Sequence, residues 1–230
     1  MIPPTSIDGT DITGATIDGT DVQEITVDGD VVFSANTFID DFEDGNLNEY
    51  SNDVSDWQVQ STTTFSGTGA LTNLGNNDEI YSLPGDGLDN YPQPDDTLSI
   101  RVRLEPGAET FAQVFFGANS RTTSTVDTYI ISVGFNRANN NYLFRLSKVV
   151  NGDFVNNQTI LFDNALGNLP EGEFLRIEWD WGSNGLIDAT LFDESGSLII
   201  SDSATDTDNT SGGIGFRAFR SAIYDNYEIL

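Results

Sequence analysis

The sequence predicts an all-β protein: a two-sheet jelly-roll sandwich preceded by a short β-repeat or hairpin segment. Three observations carry this reading. Apolar and polar residues alternate through many short runs. Clusters of Gly, Asn, Asp and Pro separate those runs every eight to twelve residues. No stretch of ten residues shows a helical period.

The first 36 residues are a repeat. Ile7-Asp8-Gly9-Thr10-Asp11-Ile12 recurs as Ile17-Asp18-Gly19-Thr20-Asp21-Val22 and, more loosely, as Val27-Asp28-Gly29-Asp30-Val31-Val32. The period is ten, and Ile7, Ile12, Ile17, Val22, Val27 and Val32 mark every fifth residue. Asp-Gly favours the φ > 0 turns that join short antiparallel strands. So few large side chains cannot form a core alone, so residues 1–36 read as an anchoring or oligomerisation segment. The plainer alternatives are a hairpin packed on the main domain, or a short β-solenoid.

Residues 37–230 form the second region. Thr97–Leu104 alternates strictly, and Tyr129–Phe135 does so on one face. Tyr142, Phe144 and Leu146 share a face, as do Leu175, Ile177, Trp179 and Trp181. Arg176, Glu178 and Asp180 take the opposite face of that last strand. Further strands are expected near 57–62, 79–83, 111–117, 158–163, 186–193, 197–202, 213–219 and 223–229.

Composition excludes several function classes. The chain has 230 residues, 37 acidic and 9 basic, for a net charge of −28, with no His and no Cys. No His- or Cys-dependent nucleophile, disulfide, or His/Cys metal site is available. A cation would have to be a hard one held by oxygens. The charge argues against nucleic acid and anionic membranes as partners. No apolar run reaches 18 residues, which argues against membrane insertion. Eight Arg against the single Lys148, and 26 Asp against 11 Glu, point to a halophilic source. Molar salt shortens the Debye length to roughly 3 Å and screens such self-repulsion. No signal-peptide pattern is read at Met1-Ile2-Pro3-Pro4-Thr5.

Several motifs carry a resemblance. Phe42-Glu43-Asp44-Gly45-Asn46-Leu47 opens the domain, and Phe65-Ser66-Gly67-Thr68-Gly69-Ala70-Leu71 follows. Gly212-Gly213-Ile214-Gly215-Phe216 and Tyr224-Asp225-Asn226-Tyr227-Glu228-Ile229 close it. Over residues 37–230 the chain resembles concanavalin A-like (laminin-G-like) jelly rolls. With the Asp-Gly repeat attached, it is similar to fibre, spike or turret proteins on the virions of tailed viruses of halophilic archaea. That resemblance implies a place on the virion surface in extracellular high salt, and the low burial capacity of residues 1–36 predicts a homo-oligomer, trimer or pentamer. Residues 1–36 would contact other virion proteins, and the sandwich would meet a host-surface glycan or glycoprotein. The alternatives are a secreted or cell-surface carbohydrate-binding protein of a halophile, or a glycoside hydrolase.

The resemblance also implies a structural Ca²⁺ tying the first and last strands. Asp41, Glu43, Asp44, Asn46 and Asp225, with Asn226 beside them, are its candidate ligands. Carbohydrate binding needs aromatic platforms beside amides. Tyr91, in an Asp- and Pro-rich loop, is one candidate. Asn139, Asn140 and Tyr142 form a second; Trp57, Tyr129, Trp179 and Trp181 fit a core better. Glu178-Trp179-Asp180 is similar to part of a β-glucanase motif, but Trp181, Gly182 and Ser183 stand where its second Glu is needed. No catalytic residue is assigned, and the chain reads as a non-enzyme. Asn157-Gln158-Thr159 and Asn209-Thr210-Ser211 are glycosylation triplets of the kind that also arise by chance.

Overall fold

The computed structural model describes residues 6–7, 10–11, 16–17, 20–21, 24–27, 30–34, 37–74, 78–106, 110–136, 140–152, 158–219 and 222–230. Ile12, Val22, Asn139 and Asn157 lie outside them. The chain divides into two compact units, Met1–Thr37 and Phe38–Leu230.

The first unit contains three hairpins. Strands β1 (Ser6–Ile7) and β2 (Thr10–Asp11) pair, as do β3 (Thr16–Ile17) and β4 (Thr20–Asp21), and β5 (Glu24–Val27) and β6 (Asp30–Ser34). Ile7 pairs with Thr10, Ile17 with Thr20 and Val27 with Asp30. In sequence, an Asp-Gly dipeptide separates the two strands of each pair, the spacing that the turn chemistry predicts. Among the described residues each hairpin forms its own two-stranded sheet. Ile7, Ile17, Val27 and Val32 lie on these strands.

The second unit is the sandwich. Its strands are β7 (Thr37–Asp40), β8 (Ser51–Asn52), β9 (Trp57–Gln60), β10 (Ala70–Asn73), β11 (Asp78–Ser82), β12 (Thr97–Leu104), β13 (Phe111–Ala118), β14 (Thr128–Asn136), β15 (Asn141–Val149), β16 (Gln158–Leu166), β17 (Phe174–Trp181), β18 (Leu186–Phe192), β19 (Leu198–Thr205), β20 (Gly213–Phe219) and β21 (Ala222–Ile229). One sheet runs β19-β18-β17-β12-β21-β10-β9, with β7 also paired to β21. The other runs β16-β15-β14-β13-β20-β11-β8. The fold is the expected all-β jelly roll, with one three-residue 3-10 turn at Val54–Asp56. The short strands β7, β8 and β10 are not visible as alternating runs; two to four residues are too few to show a period.

Alternation decides the core. Leu98, Ile100, Val102 and Leu104 of β12 and Leu175, Ile177, Trp179 and Trp181 of β17 face inward. Ala112, Val114 and Phe116 of β13 and Ile214, Phe216 and Ala218 of β20 meet them from the other sheet. Phe216 lies 5.0 Å from Tyr224 and 6.0 Å from Phe42, ring centre to ring centre. Phe116 contacts Trp179, Trp181 and Tyr129. Trp57 and Tyr129, with both β17 tryptophans, are thus core residues rather than platforms.

A second apolar cluster lies on the outer face of the seven-stranded sheet. Tyr81, Phe115 and Ile130 alternate with the inward residues of β11, β13 and β14. Val126, Ala118 and Val149 join them.

Candidate functional site

The register of the seven-stranded sheet builds a polar ladder on its outer face. Glu79 of β11 pairs with Arg217 of β20, which pairs with Gln113 of β13. Gln113 pairs with Ser132 of β14, Ser132 with Arg145 of β15, and Arg145 with Asp163 of β16. Six successive strands each contribute one polar side chain to a single transverse line. Neighbours on such a line stand about 5 Å apart, so they interact directly.

The hydrogen bonds follow the line. Arg217 Nε lies 3.1 Å from Glu79 Oε1. Arg217 donates to Gln113 Oε1 at 3.5 Å, and Gln113 Nε2 donates to Ser132 Oγ at 2.9 Å. Arg145 donates to Asp163 Oδ2 at 2.8 Å. Glu79 Oε2 accepts from Thr123 Oγ1 at 2.7 Å, and Thr123 accepts from Asn52 Nδ2 at 3.1 Å. Arg145 Nε is buried without a partner.

The ladder is held from beneath. Tyr224 belongs to the opposite sheet and is fully buried. Its hydroxyl donates to the Arg217 carbonyl at 2.7 Å and accepts from the Gln113 backbone N–H at 3.0 Å. One core residue therefore pins β20 and β13 at the rung that carries the arginine and the glutamine.

Apolar groups flank the polar line. On one side lies the covered cluster, with Tyr81 stacked on Phe115 at 5.5 Å. On the other, Phe111 pairs with Phe219 and with Gly134, and Gly134 with Leu143. Phe111 and Phe219 remain half-buried. A row of donors and acceptors beside partly exposed rings is chemically suited to hydroxyl-rich ligands that also present C–H faces.

The expected metal residues split into two groups. Glu43 and Asp225 come together around the Phe65–Gly69 loop. Asp225 Oδ2 accepts from the Phe65 N–H at 2.6 Å. Glu43 accepts from the Thr68 N–H and hydroxyl and from the Gly69 N–H, at 2.8 to 2.9 Å. Added Cβ atoms would strike the Glu43 carboxylate at Gly67 and the Phe42 carbonyl at Gly69, so this loop requires both glycines. Phe42 (φ 59°) and Asn226 (φ 48°) hold left-handed backbone beside the two acids.

The Gly69 N–H bond leads the causes that draw the Glu43 carboxyl below its usual range. Burial pushes Asp225 up to about 6, with the Glu43 charge adding in the same direction. Asp225 Oδ1 is buried without a partner. That orphan oxygen, next to a second carboxylate, fits a hard cation. Asp41, Asp44 and Asn46 instead close local turns: they accept from the backbone N–H of Glu43, Asn46 and Asn48 respectively. No three carboxylates converge on one point among the described residues. An open groove of about 410 Å³ adjoins this corner, lined in part by Glu43, Gln58, Gln60, Thr62 and Thr68.

The expected sugar residues do not meet. Tyr91 is half-buried, and its hydroxyl bonds Ser82 Oγ at 2.7 Å. Ser82 pairs with Ile214, which pairs with Phe116, near the 119–127 loop. Tyr142 pairs with Phe135, two rungs beyond Val133, at the other end of the sheet. Its ring meets Phe135 edge-on at 5.2 Å, and its hydroxyl bonds Glu171. Asn140 is an exposed turn residue with φ 52°. Glu178 and Asp180 point outward, bonded to Arg176 and to Thr97 Oγ1. Asn209 lies in the loop between β19 and β20, its N–H bonded to Tyr129 Oη at 3.2 Å.

Comparison with solved structures identifies the architecture. A carbohydrate-binding module (CBM66) from Bacillus subtilis superposes with a TM-score of 0.52 at 15% identity, over 75% of this chain and 93% of that one. The sandwich shares its two-sheet jelly-roll fold with that module. A Bacillus subtilis protein of unknown function with a galectin-like fold gives 0.49 at 15% identity, over 77% and 90%. At these identities the likeness is one of fold alone. No family model and no characterised protein matches the chain in sequence.

Glu79 gives a pH prediction. It is 5% exposed, and burial raises its carboxyl above the ordinary glutamate range despite Thr123 and Arg217. The folded state then holds a proton that the unfolded state has released, so stability falls as pH rises through that window. Urea midpoints between about pH 4 and 7 should show this fall, and Glu79→Gln should reduce it, leaving the part due to the raised Asp40 and Asp225. An identical slope in the variant would contradict the assignment.

Proposed function

We propose that residues 38–230 are a non-catalytic carbohydrate-binding domain whose glycan lies across the polar ladder. The observation that carries this is the line Glu79–Arg217–Gln113–Ser132–Arg145–Asp163 running unbroken across six strands. The half-buried Gln113 amide and the Arg145 and Arg217 guanidiniums can bond sugar hydroxyls, while Phe111 and Phe219 offer ring surface to C–H faces. The fold likeness to a carbohydrate-binding module is consistent with this use.

In the finer reading, the protein is displayed on a virion, as a capsid turret, spike or tail fibre, and attaches to a host glycan or S-layer in high salt. The acid-rich, lysine-poor composition and the hairpin repeat support it. Isolated two-stranded hairpins are marginal alone, and stacking copies of residues 1–36 would complete their pairing and form a homo-oligomer. Multivalent display would then raise weak single-site affinity by roughly 10²–10⁴. The Asp225–Glu43 corner is the proposed Ca²⁺ position; bound there, the ion would neutralise two carboxylates and lock the Phe65–Gly69 loop to the closing strand.

Three outcomes test these statements. On a glycan array Gln113→Ala should bind at least about tenfold more weakly than the native protein, with an unchanged melting temperature. Equal binding would refute the ladder as the site. Light scattering of the full chain in molar salt should give a closed oligomer, and a monomer would overturn the assembly reading. Saturating Ca²⁺ should raise the melting temperature by about 5–10 °C in the native protein and not in Asp225→Asn. No Ca²⁺ response in the native protein would remove the cation from the account.

A further inference from the structure

The outer face of the eight-stranded sheet carries an arrangement that the ladder does not use. Ser99, Arg101 and Arg103 alternate with the core residues of β12, and Arg176 and Glu178 with those of β17. Arg101 and Arg176 stand directly opposite one another in register. Like charges so placed repel. The chain has only nine basic residues among 37 acids, yet here it sets two side by side.

Both guanidiniums lie over rings. Arg101 lies 4.1 Å above Phe65, and Arg176 lies 4.3 Å above Phe192. Arg176 also pairs with Glu178, and Arg103 with Glu105 at 3.5 Å. Arg101 makes no ion pair or hydrogen bond among the described residues; Arg176 of β17 and the acids Glu228, Glu178 and Glu194 set its electrostatic surroundings, and Asp225 of β21 stands opposite it in register.

Two orphan atoms mark the same place. Arg176 Nε is buried and without a partner, as is the hydroxyl of Ser99, a residue 1% exposed and one rung from Arg101. Glu178 and Glu228 stand opposite Ser99 on its two sides, and Glu178 reaches one rung across to Arg176. Arg103 lies one rung to the other side. Phe65, 37% exposed, borders the pair and meets Phe174 edge-on at 5.7 Å.

We propose that Arg101 and Arg176 form a second ligand site, on the sheet opposite the ladder, which takes the carboxylate of an acidic sugar. Two planar guanidiniums match the two oxygens of a carboxylate, and such charge-assisted bonds are about twice as strong as neutral ones. The bound anion relieves the repulsion between the arginines. The exposed part of the Phe65 ring offers apolar surface to the sugar's C–H groups. The carboxylate half of this assignment stands on the arginine pair alone, whereas the sugar half rests on the carbohydrate-binding reading.

The test is calorimetric titration of the full chain with trigalacturonate and with its methyl ester. The native protein should bind the acid at least about tenfold more tightly than the ester. Arg101→Gln should lose at least about tenfold in affinity for the acid while keeping its melting temperature. Arg217→Gln, in the ladder, should bind the acid as the native protein does. Absence of trigalacturonate binding, equal affinity for the ester, or undiminished binding by Arg101→Gln each overturns the proposal. The acid–ester comparison needs no variant, so a misfolded Arg101→Gln does not blunt it. Glycan-array binding lost on Gln113→Ala but trigalacturonate binding kept separates failure of this site from failure of the ladder.

Discussion

Strand register across β11, β20, β13, β14, β15 and β16 decides where every side chain of the polar ladder stands. Side chains alternate faces with a period of two, so a slip of one residue in any strand moves its polar group into the core and an apolar one out. Burial of Val114, Phe116, Ile131, Val133, Phe144, Leu146, Ile214 and Phe216 resists such a slip. The same burial leaves Gln113, Ser132, Arg145 and Arg217 on the opposite face, aligned. The core thus positions the site without touching a ligand. Tyr224 adds a specific lock, because its hydroxyl satisfies one backbone group on each of two neighbouring strands.

Charge explains the rest of the surface. A net charge of −28 makes nearly every face acidic, and most of the arginines are spent on particular carboxylates. Lys148 bridges Asp206 and Asp208. Arg121 grips Asp86 with two nitrogens. Against that pattern Arg101 stands out: it has no ion pair among the described residues and lies beside a second arginine, Arg176. At the closing corner the acids are handled differently: Glu43 is met by backbone N–H groups, and Asp225 is buried with one oxygen unbonded.

Much of the fold was legible in the chain. Period-two alternation in Thr97–Leu104 and Phe174–Trp181 identified strands and their inward faces. The Asp-Gly spacing marked the hairpins of the first unit. The Phe42–Glu43 and Asp225–Asn226 motifs did meet in space, whereas Asp41, Asp44 and Asn46 went to local turns, because short Asx side chains bond their own backbone first. The ladder was not legible. It depends on β20 inserting between β13 and β11, a pairing of strands about 100 and 140 residues apart that no local spacing encodes. Its members were visible only as single polar residues interrupting apolar strands, such as Gln113 within Phe111–Ala118. Tyr91 and the Asn140–Tyr142 turn are separated for the same reason: chain order does not reveal which loops share an end of a sandwich.

The most direct test of the account is to locate a bound oligosaccharide, chosen from an array, by ¹H–¹⁵N chemical-shift mapping of the full chain. The account predicts that the largest changes fall on the Gln113 side-chain amide and the backbone of β13, β14 and β20. Changes confined to the Tyr91 loop or the Asn140 turn, with the Gln113 amide unmoved, would contradict it.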